Sequence, residues 1–253
     1  MCIRDSTYSE GDGNLVDNGD NTWSLTIPAG NEISPDGTYD VTATATDTAG
    51  NTATDTTSGE LIIDTVAPTV PTVVSQTTND TTPVITGTAD SSDSLTVTVD
   101  GVTYSEGDGN LVDNGDNTWS LTIPAGNEIS PDGTYDVTAT ATDTAGNTAT
   151  DTTSGELTID TVAPTVPTVV SQTTNDTTPV ITGTADSSDS LTVTVDGVTY
   201  SEGDGNLVDN GDNTWSLTIP AGNEISPDGS YDVTATATDT AGNTATDLSL
   251  IHI

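Results

Sequence analysis

The strongest constraint on this chain is repetition. The string Ile129-Ser130-Pro131-Asp132-Gly133-Thr134-Tyr135-Asp136-Val137-Thr138-Ala139-Thr140-Ala141-Thr142-Asp143 begins at Ile129 and recurs, with Ser230 for Thr134 in the last copy, from Ile33 and Ile225, a spacing of 96 residues. Residues 7–102 match 103–198 at every position but Ile62 against Thr158, and 103–151 match 199–247 except Thr134 against Ser230. A period near 100 is too long for a solenoid unit and suits whole domains in series. Inside the repeated string, Pro131-Asp132-Gly133 is a turn signal. Tyr135, Val137, Ala139 and Ala141 then alternate with Asp136, Thr138, Thr140 and Thr142. That period of two puts one apolar and one polar face on an extended strand, so the chain is built from half-buried strands.

The unit boundary reads Asp64-Thr65-Val66-Ala67-Pro68-Thr69-Val70-Pro71, and the same string runs from Asp160 to Pro167. Two prolines so close together favour an extended, stiff connector. The cuts therefore fall after Asp64 and Asp160, giving a partial copy at 7–64, a complete copy at 65–160 and a third at 161–247. In the complete copy, 70–75 reads as an edge strand and 79–83 as a turn. Residues 84–89 form a second strand, with Gly87 where backbones approach closely. Leu95, Val97 and Val99 alternate with polar residues, and Asp100-Gly101 is a two-residue hairpin signal before the return strand 102–105. Residues 106–117 are polar loop or a short edge strand. Trp119, Leu121 and Ile123 alternate again; the long strand from Tyr135 follows, then a turn at 144–147 and a last strand over 148–159. About seven strands with turn signals every ten or so residues is the pattern of a β-sandwich. Only 65–160 is expected to hold a full core, because 7–64 lacks the first strands and 161–247 lacks the end of its last one. The first copy should expose unpaired edges and half a core.

Several stretches together resemble the bacterial Ig-like repeat of giant surface adhesins. They are Thr78-Asn79-Asp80-Thr81-Thr82-Pro83-Val84-Ile85-Thr86-Gly87-Thr88-Ala89, then Asp116-Asn117-Thr118-Trp119-Ser120, Asp132-Gly133-Thr134-Tyr135 and Asp143-Thr144-Ala145-Gly146-Asn147. The resemblance covers essentially all of 7–247. It implies an all-β chain of tandem Ig-like antiparallel sandwiches, the first truncated at its N-terminal side. Tyr135, two residues past a glycine turn at the start of a strand, looks like the tyrosine corner of such sandwiches.

The two ends stand apart. Met1-Cys2-Ile3-Arg4-Asp5-Ser6 and Leu248-Ser249-Leu250-Ile251-His252-Ile253 lie outside the repeat. They can be encoded as ATG TGT ATA AGA GAC AGC and CTG TCT CTT ATA CAC ATC, and the reverse complement of the second contains nearly all of the first. This resembles the transposase end sequence of sequencing-library adapters read as codons. Residues 1–6 and 248–253 are therefore set aside as adapter-like. With them go the only Cys, Met, Arg and His of the chain.

What remains carries no Lys, Arg, His, Cys or Met, and the whole chain has 40 acids and a formal net charge of -39. The usual bases and nucleophiles are missing, so no enzyme activity is expected. The sign of the charge is wrong for nucleic acid, and no apolar run approaches a membrane span. Trp23, Trp119 and Trp215 could stack on a sugar, but alternation with apolar neighbours turns Trp119 toward the core. The sharper expectation is calcium, which takes six to eight oxygen ligands at roughly 2.3–2.6 Å. Each complete repeat holds fifteen Asp or Glu and no base to pair them. The acids nearest the junctions are Asp64 and Asp160 at the connectors, with Asp47 and Asn51, and Asp143 and Asn147, flanking the turn before the last strand. Asn79-Asp80 and the next copy's Asn175-Asp176 are expected to approach the same junctions. The resemblance points the same way, since related adhesin repeats hold calcium between domains. The competing reading is acids on solvated faces for solubility. Function is expected to be that of a stalk segment of a secreted, cell-surface bacterial adhesin, whose partners within the chain are the neighbouring repeats. The alternatives are spacers of a secreted polysaccharide-degrading enzyme and a direct glycan-binding module.

Overall fold

The computed structural model describes residues 6–253; of the adapter-like N-terminal stretch, 1–5 lie outside the described residues. Every element among the described residues is a strand or a turn between strands. Backbone contacts divide the chain into two compact units. One takes the residues up to Pro68 together with Thr142–Thr148, and the other takes Thr69–Ala141 with Ala149–Ile253.

The complete copy lies around one apolar core. One sheet runs, in order, Leu111–Asp113, Thr118–Thr122, Val84–Thr88 and Thr72–Val73. The facing sheet runs Val102–Ser105, Ser94–Val99, Val137–Thr142 and Thr148–Thr150. A three-stranded piece, Gly133–Tyr135, Leu157–Ile159 and Gln76–Thr78, completes the sandwich, its last pair being parallel. The alternation read from sequence sets what is inside: Ile85, Leu95, Val97, Val99, Trp119, Leu121, Val137, Ala139 and Leu157 are buried together. The hairpin at Asp100-Gly101 pairs Val99 with Val102, and both turn residues have positive φ, 48° and 75°. That is the geometry that matches strand twist and that Asp-Gly adopts readily. Trp119 is 1 % exposed and stands opposite Gly87 in the ladder. The Tyr135 hydroxyl donates to the carbonyl of Pro131, as Tyr39 does to Pro35 and Tyr231 to Pro227. Each copy therefore carries the tyrosine corner. The bonds Ser34-Pro35, Ser130-Pro131 and Ser226-Pro227 are cis.

Three features differ from the sequence reading. The first strand splits into Thr72–Val73 and Gln76–Thr78, which serve different sheets. The long strand breaks at Asp136, and the last strand breaks between Thr150 and Leu157. One side chain accounts for both breaks. Glu156, 3 % exposed, reaches over with Oε2 to accept the Val137 N–H at 3.0 Å, a bond that strand pairing would otherwise make. Asp136 Oδ1 returns the exchange by accepting the Gly155 N–H at 2.8 Å, where Gly155 has φ +75°.

The third difference concerns the cores. The expectation that only 65–160 holds a full one is corrected: a second, matching cluster forms from Ile181, Leu191, Val193, Trp215, Val233, Ile251, Ile253 and their neighbours. The residues set aside at the C-terminus supply the strand end. Thr244–His252 is one unbroken strand paired with Ser230–Thr238, and Tyr231 faces Ile251 as Tyr135 faces Leu157. Ile251 and Ile253 point inward while Leu248 and Leu250 point out, the same two-residue alternation that places every other core residue. Without a counterpart of Glu156 bridging a break, both strands run straight.

The first copy comes out as expected. Its described strands make three separate two-stranded sheets: Leu15–Asp17 with Trp23–Leu25, Gly37–Tyr39 with Leu61–Ile63, and Thr44–Thr46 with Thr52–Thr54. Trp23 is 50 % exposed where Trp119 is 1 %.

Candidate functional site

No catalytic constellation is gathered among the described residues, and the arrangement that recurs is a joint between copies. Its centre is the turn before the last strand. In the third copy, Asp239 Oδ1 accepts the N–H groups of Ala241 and Asn243, each at 2.9 Å, and its Oδ2 accepts the Asn243 side-chain amide at 2.9 Å. Gly242, at φ +92°, closes the turn by donating to the Asp239 carbonyl at 3.2 Å. Only glycine holds such a conformation at little cost. The hydrogen bond from Asn243 and those from the backbone hold the Asp239 carboxyl below its ordinary range.

The turn so fixed aims Asn243 out of its own copy. Its Nδ2 also donates to the Asp160 carbonyl, the last residue of the preceding copy, at 2.8 Å. A second bond lies beside it: the Asn79 N–H donates to the Ala241 carbonyl at 3.0 Å. Asp160 is held by its own copy, since its N–H donates to the Thr78 carbonyl at 3.0 Å. The connector begins rigidly too. The Thr161 N–H and hydroxyl donate to the Asp132 carboxylate at 2.8 and 2.9 Å, and the Val162 N–H to Asp160 Oδ1 at 3.0 Å. All these residues belong to one compact unit.

The other unit contains the same latch. Asn147 Nδ2 donates to the Asp64 carbonyl at 3.1 Å, across the same separation of 83 residues, and to Asp143 Oδ2 at 2.8 Å. Asp143 Oδ1 takes the Ala145 and Asn147 N–H groups at 2.9 Å each. Thr65 is anchored by Asp36 as Thr161 is by Asp132. In the first copy, Asp47 and Asn51 build the same turn, with the Asn51 side chain on Asp47 Oδ2 at 2.8 Å.

Of the residues singled out from sequence, the structure thus joins Asp64 with Asn147 and Asp143, and Asp160 with Asn79. Asp80 is close by in chain but is occupied in its own turn, accepting the Thr82 N–H and hydroxyl at 2.8 and 3.0 Å. Asn175 and Asp176 are not brought to this joint. They sit at the opposite end of the third copy, where Thr174 donates to His252 and Asp176 accepts from Thr178. Asn79 takes the place expected of them. The residues the sequence reading passed over are Asp239 and Asn243, although the repeat period alone maps Asp143 and Asn147 onto them.

As arranged, these oxygens do not make a calcium cage. Both oxygens of Asp239 face N–H donors, and the Asp160 carbonyl accepts an amide. Among the described residues no three His, Cys, Asp or Glu are grouped to hold a metal ion. The nearest approach to an acidic cluster is Asp189, whose carboxyl is pushed up by burial and then by the charges of Asp186 and Asp239. No helix among the described residues is long and apolar enough to cross a membrane.

The sequence model of the bacterial Ig-like domain matches residues 4–65, 72–161 and 168–252. No curated protein matches the chain. Among solved structures, a 1.5-MDa bacterial ice-binding adhesin aligns at 24 % identity and TM-score 0.38, over 83 % of this chain and 71 % of that one. A tetra-tandem repeat from the extending region of a large adhesion protein aligns at 26 % identity and TM-score 0.31, over 84 % and 55 %. The titin domains Z1Z2 in complex with telethonin align at 19 % identity and TM-score 0.26, over 74 % and 98 %.

Proposed function

The chain belongs to the bacterial Ig-like domain family, and from that premise we propose that it is a spacer: a stalk segment of a secreted bacterial surface adhesin that does mechanical rather than chemical work. The observation that carries the proposal is the latch. The same asparagine donates to the same carbonyl at two successive joints, Asn147 to Asp64 and Asn243 to Asp160. A repeat that spends side-chain amides on fixing its neighbour's orientation is suited to transmitting position along a chain. Buried Trp119 and Trp215 support the same reading, because a core tryptophan offers no face to a sugar. The large negative charge suits a segment that stays soluble among its own copies.

The intact gene tests the proposal. Further Ig-like repeats leading to a binding module and an anchor are the expected result. A catalytic domain adjoining the repeats would replace the stalk with an enzyme spacer. Calcium stiffening is a separate proposal and has its own measurement. A calorimetric titration of the chain with Ca2+ after chelator treatment should show no saturable heat if the amide latch alone holds the joints, and should show it if a cation takes the carboxylates from their N–H donors.

A further inference from the structure

We infer that residues 7–64 form an acceptor for one particular partner: a free polypeptide segment with the sequence of residues 69–102, taken up by strand addition. The complete copy shows what such an acceptor takes, because its residues 103–160 repeat 7–64 at every position but Thr158 against Ile62. There, one continuous stretch fills three edges at once. Val84–Thr88 lies along Thr118–Thr122, Gln76–Thr78 lies parallel along Leu157–Ile159, and Ser94–Val99 lies beside Val137–Thr142. The corresponding strands of the first copy, Trp23–Leu25, Leu61–Ile63 and Thr44–Thr46, each belong to a two-stranded sheet among the described residues. Their inward side chains are bared to match: Trp23 is 50 % exposed and Ile27 37 %, while Trp119 is 1 % and Ile123 2 %. Open strand edges with an apolar face are templates for an added strand.

The acceptor is selective as well as sticky. In the complete copy Trp119 faces Gly87, and a Cβ at that position would come within 2.5 Å of the indole and 1.9 Å of the Thr72 carbonyl. Any strand entering beside Trp23 must therefore place glycine opposite the indole. The apolar positions Ile85, Leu95, Val97 and Val99 must alternate with polar ones so as to reach the core in step. The segment 69–102 meets both conditions, and a generic apolar strand meets only the second.

The test adds a synthetic peptide of sequence 69–102 to the full chain and follows tryptophan fluorescence with acrylamide quenching. The chain has three tryptophans, of which Trp119 and Trp215 are already buried. The expected result is a saturable blue shift and loss of the quenchable fraction, both absent in Trp23→Phe. A peptide carrying Gly87→Val is more apolar and a better strand former, yet it should bind roughly tenfold more weakly or worse, because the added atoms overpack the indole. Equal or tighter binding of that peptide would overturn the inference in favour of unspecific apolar cover. So would protection of Trp23 by dimerisation of the chain alone, seen by light scattering, with no response to peptide.

Discussion

Replacing Gly87 with alanine adds a single methyl group at the most crowded point of the complete copy. The new Cβ would lie 1.9 Å from the Thr72 carbonyl oxygen and 2.5 Å from Trp119 Cζ2. Backbone and a fully buried ring must both give way. Moving Thr72 disturbs the pairing of Thr72 with Thr88 and Val73 with Gly87, together with the 2.7 Å bond between the Thr72 and Thr88 hydroxyls. Overpacking of this kind costs about 1–3 kcal/mol, and a lost hydrogen bond adds about 1 kcal/mol. The stiffer unfolded chain returns about 0.4–1 kcal/mol, leaving a net loss of about 2–3 kcal/mol. For a domain of this size that lowers the melting temperature by very roughly 10–20 °C. Scanning calorimetry on the full chain should show one transition moving down by that amount while the third copy's stays nearly in place. The matched control is Gly107→Ala, where φ is +86° but a Cβ meets open space, so only backbone strain of about 1 kcal/mol is at stake. If Gly87→Ala costs no more than Gly107→Ala, the close packing of indole against glycine is wrong.

Three smaller perturbations probe separate features. Glu156→Ala strips the Val137 N–H of its buried acceptor and should cost about 1–3 kcal/mol, with amide exchange at Val137 accelerating and Glu156→Gln restoring protection; unchanged exchange would mean that strand pairing holds that amide. Tyr135→Phe removes the hydroxyl that donates to Pro131 and should cost about 1 kcal/mol by chemical denaturation, against no change if the corner is ornamental. Asp143 and Asp239 have carboxyls held below their ordinary value of 3.8, first by the Asn147 and Asn243 side chains. A depressed carboxylate contributes stability above its unfolded value and loses it as pH falls through the folded one. Exchange protection of the Asn147 and Asn243 backbone amides should therefore hold from neutral pH down to about that value and drop only below it; a drop near pH 6 would contradict this.

Much of the fold was legible because the sequence repeats a period of two. Trp119, Leu121 and Ile123 had to share a face, Asp100-Gly101 had to turn, and Tyr135 stood where a tyrosine corner needs it. What escaped was set by side chains reaching across the chain. Nothing in the alternation through 135–142 shows that Glu156 will take the Val137 amide and break two strands. The end of the third copy was hidden for another reason. The alternation of Ile251, His252 and Ile253 was visible, but a segment foreign to the repeat was not expected to fit the slot of Leu157 and Ile159. Burial asks only for apolar groups at the right spacing. At the joint, composition drew attention to carboxylates as cation ligands, while the structure spends them on shaping a turn so that an amide can reach a neighbour.

The central claim is that copies are fixed to one another by that amide. Spin labels at exposed Val112 and Val208, one in each of the last two copies, read it through the width of their distance distribution in the presence of chelator. The account predicts a narrow distribution that broadens in Asn243→Asp, where the donor to the Asp160 carbonyl becomes an acceptor. A distribution already broad in the unaltered chain, or one the substitution leaves unchanged, would contradict it.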